Sequence, residues 1–305
     1  MSSHSYSPRR PAHPYNDASD VTQILNFVRS VRPMTLLTEY PGIHEIPELL
    51  SLPVNQGTAR SWRNNQNQLV GYAYVDLFQT LRFDIDWQIR DYELENEIVA
   101  WGNECLKGKH AFIYSTSHET DSERLAFFDR HQFIRCAETI IHMACSLDSD
   151  FPSPRVPDGF TFREVKGEGE AAEIAGLHRA AFQTSYMSTE RRANMMRSNN
   201  YDPTLDLVAV ADDGKLVAYA LGQLNETEAK QGICYADLFA THPDYQGRGL
   251  ARILMYMLVK RLQKMGYRIA KLSTDSNNHA MQQIAYAVGF QRSGKTLRFQ
   301  RQVAG

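Results

Sequence analysis

Residues 205–265 restrict the fold more than any other part of the chain. Two β-rich runs, LDLVAVA (205–211) and KLVAYALGQL (215–224), are joined by Asp212-Asp213-Gly214, a turn that reverses a chain into a hairpin. A third run, GICYADLFAT (232–241), passes through HPDYQGRG into a helix with the apolar stripe Leu250, Ile253, Leu254, Met257, Leu258, Leu262 and Met265, spaced at the 3.6-residue period. Gly266 sits where that helix should stop. The expectation is a mixed α/β fold in which a glycine-bearing loop joins a sheet strand to an amphipathic helix.

A second glycine stretch competes for attention. GFQRSGKT (289–296) satisfies G-x-x-x-x-G-K-[ST], the loop that cradles nucleotide phosphates. Such a loop must follow a strand and open a helix, because the helix N-terminus supplies N–H groups and the positive end of the dipole. This one follows a helix and precedes a strand, with nine residues left after Thr296. The match is a coincidence, and nucleotide-triphosphate hydrolysis is set aside. Gln246-Gly-Arg-Gly-Leu-Ala251 has the required setting. Gly247 and Gly249 allow a close backbone approach to a ligand, and Arg248 offers a charge to diphosphate oxygens.

Around these elements the chain divides. SLDSDFPSPRVPDG (146–159), with three prolines, reads as a linker at 149–159. After it come a strand (160–165), a helix (168–182), a short helix near STERRANMMRS, the three strands and the loop–helix. A strand (268–275), a helix (278–288) and a last strand near KTLRFQRQ close the chain. The first half repeats this order faintly: a helix near VTQILNFVRSV, strands TARSWR and QLVGYAYVDL, helix DYELENEIVAWGNECL, strand HAFIYST, helix SERLAFFDRH and strand CAETIIHMACSL. Both halves end their last helix in a short apolar turn, HQF (131–133) and VGF (288–290), as a duplicated fold would. The expected organisation is a disordered tail over 1–19, one domain over 20–148 and a second over 160–305.

Composition excludes several classes. Charged residues at 22% and hydrophobic ones at 43% fit a soluble globular protein, and no apolar run approaches the length a membrane span needs. The first nineteen residues lack the apolar centre of a secretory signal, so a cytoplasmic protein is expected. The four cysteines and the histidines show no metal-ligand spacing; reduced thiols and no metal are expected. Basic residues are neither dense nor interleaved with aromatics, which argues against nucleic acid. Residues 20–150 carry 11 Lys and Arg against 19 Asp and Glu, whereas residues 151–305 carry 20 against 15.

QGRGLA resembles the [Q/R]-x-x-G-x-[G/A] motif of the GNAT superfamily of acyl-CoA-dependent N-acyltransferases, met by Gln246, Gly249 and Ala251 after FATHPDY. The element order over 160–300 fits that superfamily well and 20–148 loosely, and the doubling is similar to the tandem arrangement of mycothiol synthase. The resemblance implies two tandem units, each a mixed, mostly antiparallel twisted sheet flanked by helices. It implies acetyl-CoA as co-substrate, held along Phe239, Ala240 and Thr241 where strands splay. It also implies a diphosphate on Gln246, Gly247, Arg248, Gly249, Leu250 and Ala251, and Asn278 near the pantetheine arm. The matching loop of the first half, IRDYELENE (89–97), has no glycine and four acids, so cofactor binding there is expected to be lost.

Acyl transfer to an amine requires a neutral nitrogen, so a base must remove a proton. Asp237 is the candidate base; by strand alternation it shares a face with Tyr235 and Phe239, and Tyr235 could orient the acceptor. The plainer role for Asp237 is to pair with a neighbouring arginine or face solvent. The tyrosine that commonly protonates the leaving thiolate, seven residues after the family's Asn, falls on Ala285 here, with Tyr286 next door. One residue is a rotation of about 100° on a helix, so the acid is unassigned and Tyr286 is also read as packing against the next strand. Asp84-Ile-Asp86 reads as an edge strand's outward face and Arg191-Arg192 as a solvated helix face. The expected function is acetyl transfer to an amine of a small molecule or peptide, with a non-catalytic acyl-CoA-binding protein as the alternative.

Overall fold

A computed structural model describes residues 12–15, 18–43, 45–148, 150–198 and 200–303; the side chains of residues 12, 18, 19, 226, 227 and 237 lie outside that description. The chain forms two compact units, residues 1–139 with 295–305, and residues 140–294. The division falls inside a strand and not in the proline-rich stretch. Phe151 anchors that stretch in the core of the second unit, while most of residues 152–159 are exposed. Of the expected tail, residues 1–11, 16 and 17 lie outside the described residues, while Ala12–Pro14 form a strand.

Unit 1 runs β1 (Ala12–Pro14), α1 (Ala18–Val31), α2 (Ile46–Ser51), α3 (Pro53–Thr58), β2 (Arg60–Arg63), β3 (Leu69–Val75), β4 (Leu81–Ile85), α4 (Tyr92–Leu106), β5 (Phe112–His118), α5 (Ser122–Arg130) and the start of β6 (Ile134–Ser146). The first four strands pair antiparallel in chain order. Alternation along β3 explains the two layers. Tyr72 and Tyr74 face the α1–α2 core with Val28, Ile46 and Leu50, whereas Ala73 and Val75 join Phe83, Ile98, Phe127 and Phe128 against α4 and α5; Val70 joins the latter group because the register with β2 slips beside it.

Asp84 corrects the expectation of an outward face. It is 3% exposed and takes two 2.7 Å hydrogen bonds from Arg32, on Nε and Nη2. Arg124 stands 3.9 Å away, itself donating to the Phe83 and Thr116 carbonyls. A buried carboxylate demands such partners, because taking the charge from water costs several kcal/mol unless it is paired.

Unit 2 completes β6 and continues with β7 (Phe160–Glu164), α6 (Ala171–Phe182), α7 (Thr189–Met196), β8 (Asp206–Ala211), β9 (Leu216–Gln223), α8 (Glu226–Ala229), β10 (Ile233–Thr241), α9 (Leu250–Lys264), β11 (Ile269–Asp275), α10 (His279–Val288) and the start of β12 (Gln291–Gln302). Its strand order is β7-β8-β9-β10-β11-β6, with β10 and β11 parallel and the other pairs antiparallel. One sheet face packs Ala209, Ala218, Ala220, Cys234 and Ala236 against Leu254, Leu258 and Leu262 of α9. The small side chains let α9 come close: a Cβ on Gly222 would lie 2.9 Å from Leu258. The other face packs Val208, Tyr219, Leu221 and Ala240 against Ile174 and Leu177 of α6.

Gly214 at φ +85° makes the expected hairpin turn, and Gly266 at φ +87° follows α9. Gly289, at φ +112°, stops α10: its N–H donates to the Tyr286 carbonyl and the Phe290 N–H to that of Ala285, the Schellman pattern. GFQRSGKT is therefore a helix stop leading into a strand, as its context required. β12 is longer than its predicted core and ends in unit 1, where Thr296–Gln302 pair antiparallel with β5. The cysteines are free, and burial pushes the Cys145 thiol up to about 11 and that of Cys234 to about 12. No described helix is long and apolar enough to cross a membrane.

Candidate functional site

The site is built where β10 leaves β11. Their parallel pairing covers Ile233, Cys234 and Tyr235 against Ile269, Ala270 and Lys271. Beyond it β11 keeps to β6 as far as Asp275, while β10 keeps to β9 as far as Thr241. The two strands part at Tyr235, so Phe239, Ala240 and Thr241 lie on the diverging arm.

The loop after β10 carries the glycine motif. Gly247 at φ +75° and Gly249 at φ +80° need glycine for their conformation and not for space, since a Cβ on either would meet nothing within 4 Å. Gly249 is the N-cap of α9 and offers no side-chain acceptor, and the first turn of α9 holds no acid. Its leading N–H groups, which cannot bond within the helix, thus face outward with the positive end of the dipole. Gln246, Gly247, Arg248 and Gly249 are exposed, and Leu250 is anchored in the core. Gln246 donates to the Thr241 carbonyl at 3.3 Å, and Arg248 to the Asp244 carbonyl at 3.2 Å beside the Tyr245 ring. These bonds give the loop a shape before any ligand arrives.

Asn278 is exposed and caps α10, its Oδ1 accepting from the Met281 N–H at 3.1 Å. Its role as a cap is local; α10 nonetheless begins just past the end of β11.

Strand alternation fails at one point of β10. Between Asp237 and Phe239 the register slips by a β-bulge, with Leu238 at φ +59°. Phe239 therefore packs with Cys234 and Ala236 toward α9, while Leu238 and Ala240 join the α6 side. Tyr235 and Phe239 do not share a face, contrary to the alternation expected of a regular strand. A non-glycine residue held left-handed is uncommon, and here it re-aims the side chains next to the fork. The Asp237 side chain, the candidate base, lies outside the described residues.

Tyr286 is 41% exposed, while Ala285 is fully buried under α9. The tyrosine is partly exposed, and the inward position belongs to Ala285. Arg192 also departs from expectation. It is 1% exposed and pairs with buried Asp206, which takes a 2.7 Å bond from Tyr201 as well. Arg191 lies 3.9 Å from the Tyr186 ring.

The sequence reading missed two features. His178 of α6 shares a 2.7 Å hydrogen bond with the Tyr219 hydroxyl, and burial, with Arg192 and Arg179 adding to it, holds its pKa below the ordinary value. Glu228 of α8 is 7% exposed and accepts from the Tyr235 hydroxyl at 2.5 Å and from Lys271 at 2.9 Å. Neither carried a spacing signal: ETEA is one short turn, and a lone histidine in a helix is usually a core residue.

With this geometry in view, residues 171–290 match the family described as "Acetyltransferase (GNAT) family". Unit 2 carries a GNAT-family domain. Two curated relatives are both mycothiol acetyltransferases. That of Streptomyces coelicolor is 27% identical over 145 residues, covering 46% of each chain; that of Saccharomonospora viridis is 23% identical over 188 residues, covering 59% of this chain and 60% of the relative. The matches thus span about half of those relatives' lengths. Among solved structures, a GCN5-related N-acetyltransferase from Sphaerobacter thermophilus superposes with a TM-score of 0.71 at 18% identity, over 99% of this chain and 98% of the other. A tandem GNAT protein from the clavulanic acid biosynthesis pathway does so at 0.71 and 17%, over 96% and 98%. The fold of the whole chain is thus that of the tandem GNAT proteins.

Proposed function

We propose that unit 2 binds acetyl-CoA and transfers its acetyl group directly to an amine. The observation that carries the reading is the uncapped N-terminus of α9 behind the Gly247–Gly249 loop, directly after the strand that parts from β11. In this reading Gln246 to Ala251 hold the diphosphate through backbone N–H groups, with Arg248 adding charge. Phe239, Ala240 and Thr241 line the thioester on the diverging arm of β10, and Asn278 flanks the pantetheine.

The acceptor is a small molecule or peptide bearing an amine, and the named relatives, mycothiol acetyltransferases, favour the former. Asp237 and Tyr235 are the base candidates on β10. Tyr286 is a poor general acid, because it is one residue out of register and Ala285 holds the inward position. A thiolate whose conjugate thiol has a pKa near 8.5 leaves tolerably without one and can take its proton from water. The cytoplasm is the expected setting for such a co-substrate.

A second reading, acyl-CoA binding without catalysis, is favoured by Ala285 filling the position where a tyrosine is expected. Titration with acetyl-CoA, followed by thiol release over glucosamine, spermidine, lysine amide and a tetrapeptide, separates the two. Binding with amine-dependent release supports transfer; binding with background release supports the second reading; no binding removes both.

A further inference from the structure

We propose that the acceptor amine gives its proton to the Tyr235 oxygen, and that Glu228 receives the tyrosine's own proton. This rests on the reading of unit 2 as an acetyl-CoA-dependent N-acetyltransferase and assigns the base that reading leaves open.

The argument begins at the apex of the fork. Tyr235 and Lys271 are the last registered pair of β10 and β11, so they border the gap that opens beyond. Their neighbours Cys234, Ala236 and Ala270 point into the core beneath α9. Tyr235 and Lys271 therefore project from the opposite face of the sheet. α8 lays Glu228 over both, and the carboxylate spans the two strands. Oε2 accepts from the Tyr235 hydroxyl at 2.5 Å and Oε1 from Lys271 Nζ at 2.9 Å. The Glu228 N–H donates to Asn225 Oδ1 at 3.3 Å, which fixes the turn that carries it.

Burial separates the roles. Glu228 is 7% exposed, so a ligand cannot easily reach its carboxylate, whereas Tyr235 is only half-buried. A phenolic oxygen is an acceptor as well as a donor, so donating inward to Glu228 is compatible with accepting an N–H that arrives from the gap. Lys271 supplies the counter-charge without which a buried carboxylate would be costly.

The step balances with no further reactant. The amine nitrogen forms a bond to the thioester carbonyl carbon. Its proton passes to the Tyr235 oxygen, directly or through one water, as the tyrosine's proton passes to Glu228 Oε2. Collapse breaks the C–S bond; the thiolate takes a proton from water, and Glu228 returns its proton to solvent. Tyr235 touches the acceptor, and Glu228 is the positioning residue that makes the phenol basic enough to act.

The test compares Y235F, E228Q, their double variant and D237N with the intact chain, using whichever of the four amines turns over fastest. The expected result is a fall in kcat of about 10²–10⁴-fold in Y235F and in E228Q, with the KM for acetyl-CoA unchanged. The double variant should be no worse than either single one, because both remove the same relay. The acid limb of the pH–rate profile should disappear in both. Acetyl-CoA titration of each variant shows that unit 2 remains folded, a readout on which a merely structural clamp would fail. If Y235F or E228Q keeps kcat within threefold, or if D237N alone removes the acid limb, the relay is overturned. If the intact chain itself releases no thiol, the reading of unit 2 as a transferase falls first, and the relay with it.

Discussion

The two units present the same strand–loop–helix junction with opposite ends. In unit 1, α4 is capped by Asp91, whose carboxylate accepts from the N–H groups of Glu93 and Leu94 at 3.1 Å each. Glu93 and Glu95 occupy its first turn, and Arg90 takes the left-handed position with φ +47°. In unit 2, α9 is capped by Gly249 with no side-chain acceptor and no acid nearby. A helix N-terminus must satisfy its leading N–H groups somehow. Unit 1 does so with a side chain of its own, while unit 2 leaves them without a side-chain cap. The junction of unit 1 thus differs from that of unit 2 in self-sufficiency as well as in charge.

That contrast can be attacked from several sides. The largest effect is expected at Asp84, where unit 1 closes its charges on themselves. Asp84→Ala leaves Arg32 and Arg124 buried without their carboxylate and should cost about 3–5 kcal/mol in denaturant unfolding. A loss below about 1 kcal/mol would mean the pairing is incidental. Next, Gly249→Asp copies the cap of unit 1 into unit 2, at a φ of +80° that suits glycine. Acetyl-CoA affinity should fall on the order of 10²-fold or more by calorimetric titration, since a self-supplied carboxylate competes with the diphosphate. Unchanged affinity would break the comparison outright.

The converse change is smaller. Asp91→Ala should destabilise unit 1 by about 0.5–2 kcal/mol, the usual worth of an N-cap, and acetyl-CoA should still not bind there because Glu93 and Glu95 remain. A pH effect distinguishes the units next. His178 holds its pKa below 6.5, so as pH falls through that value the unfolded chain takes up a proton that the folded unit refuses. Stability is full above about 6.5 and declines below it, by at most about 1.4 kcal/mol per pH unit, and His178→Gln should flatten that decline in thermal melts. The smallest effect belongs to Tyr286→Phe, which should leave stability within about 0.5 kcal/mol and thiol release within about twofold, because the residue is exposed.

Much of unit 2 was legible from its sequence because local signals agreed there. The hairpin glycine, the stripe of α9 and the stop at Gly266 each report one element without needing a distant partner. The setting of the Gln246–Ala251 loop could be read for the same reason, as its strand and helix flank it directly. What escaped depended on partners far along the chain. Asp84 reads as exposed until Arg32, fifty-two residues away, is known to reach it. Arg192 reads as a helix surface until Asp206 closes on it. The face of Phe239 was misjudged because a bulge at a leucine leaves no mark; a glycine there would have given warning. Glu228 escaped because its value comes from Tyr235 and Lys271, which only the sheet brings together.

The strand that ends in unit 1 sets an order of events during synthesis. Residues 295–303 belong with a unit whose other residues leave the ribosome first. The earlier-made half therefore waits for residues 296–302 to supply the partner of β5, while unit 2 has its whole complement of residues before them. A stop codon near residue 294 would remove no part of the Gln246–Ala251 loop, yet it would strand the edge of β5 and leave Leu297 and Phe299 missing from the aromatic core of unit 1.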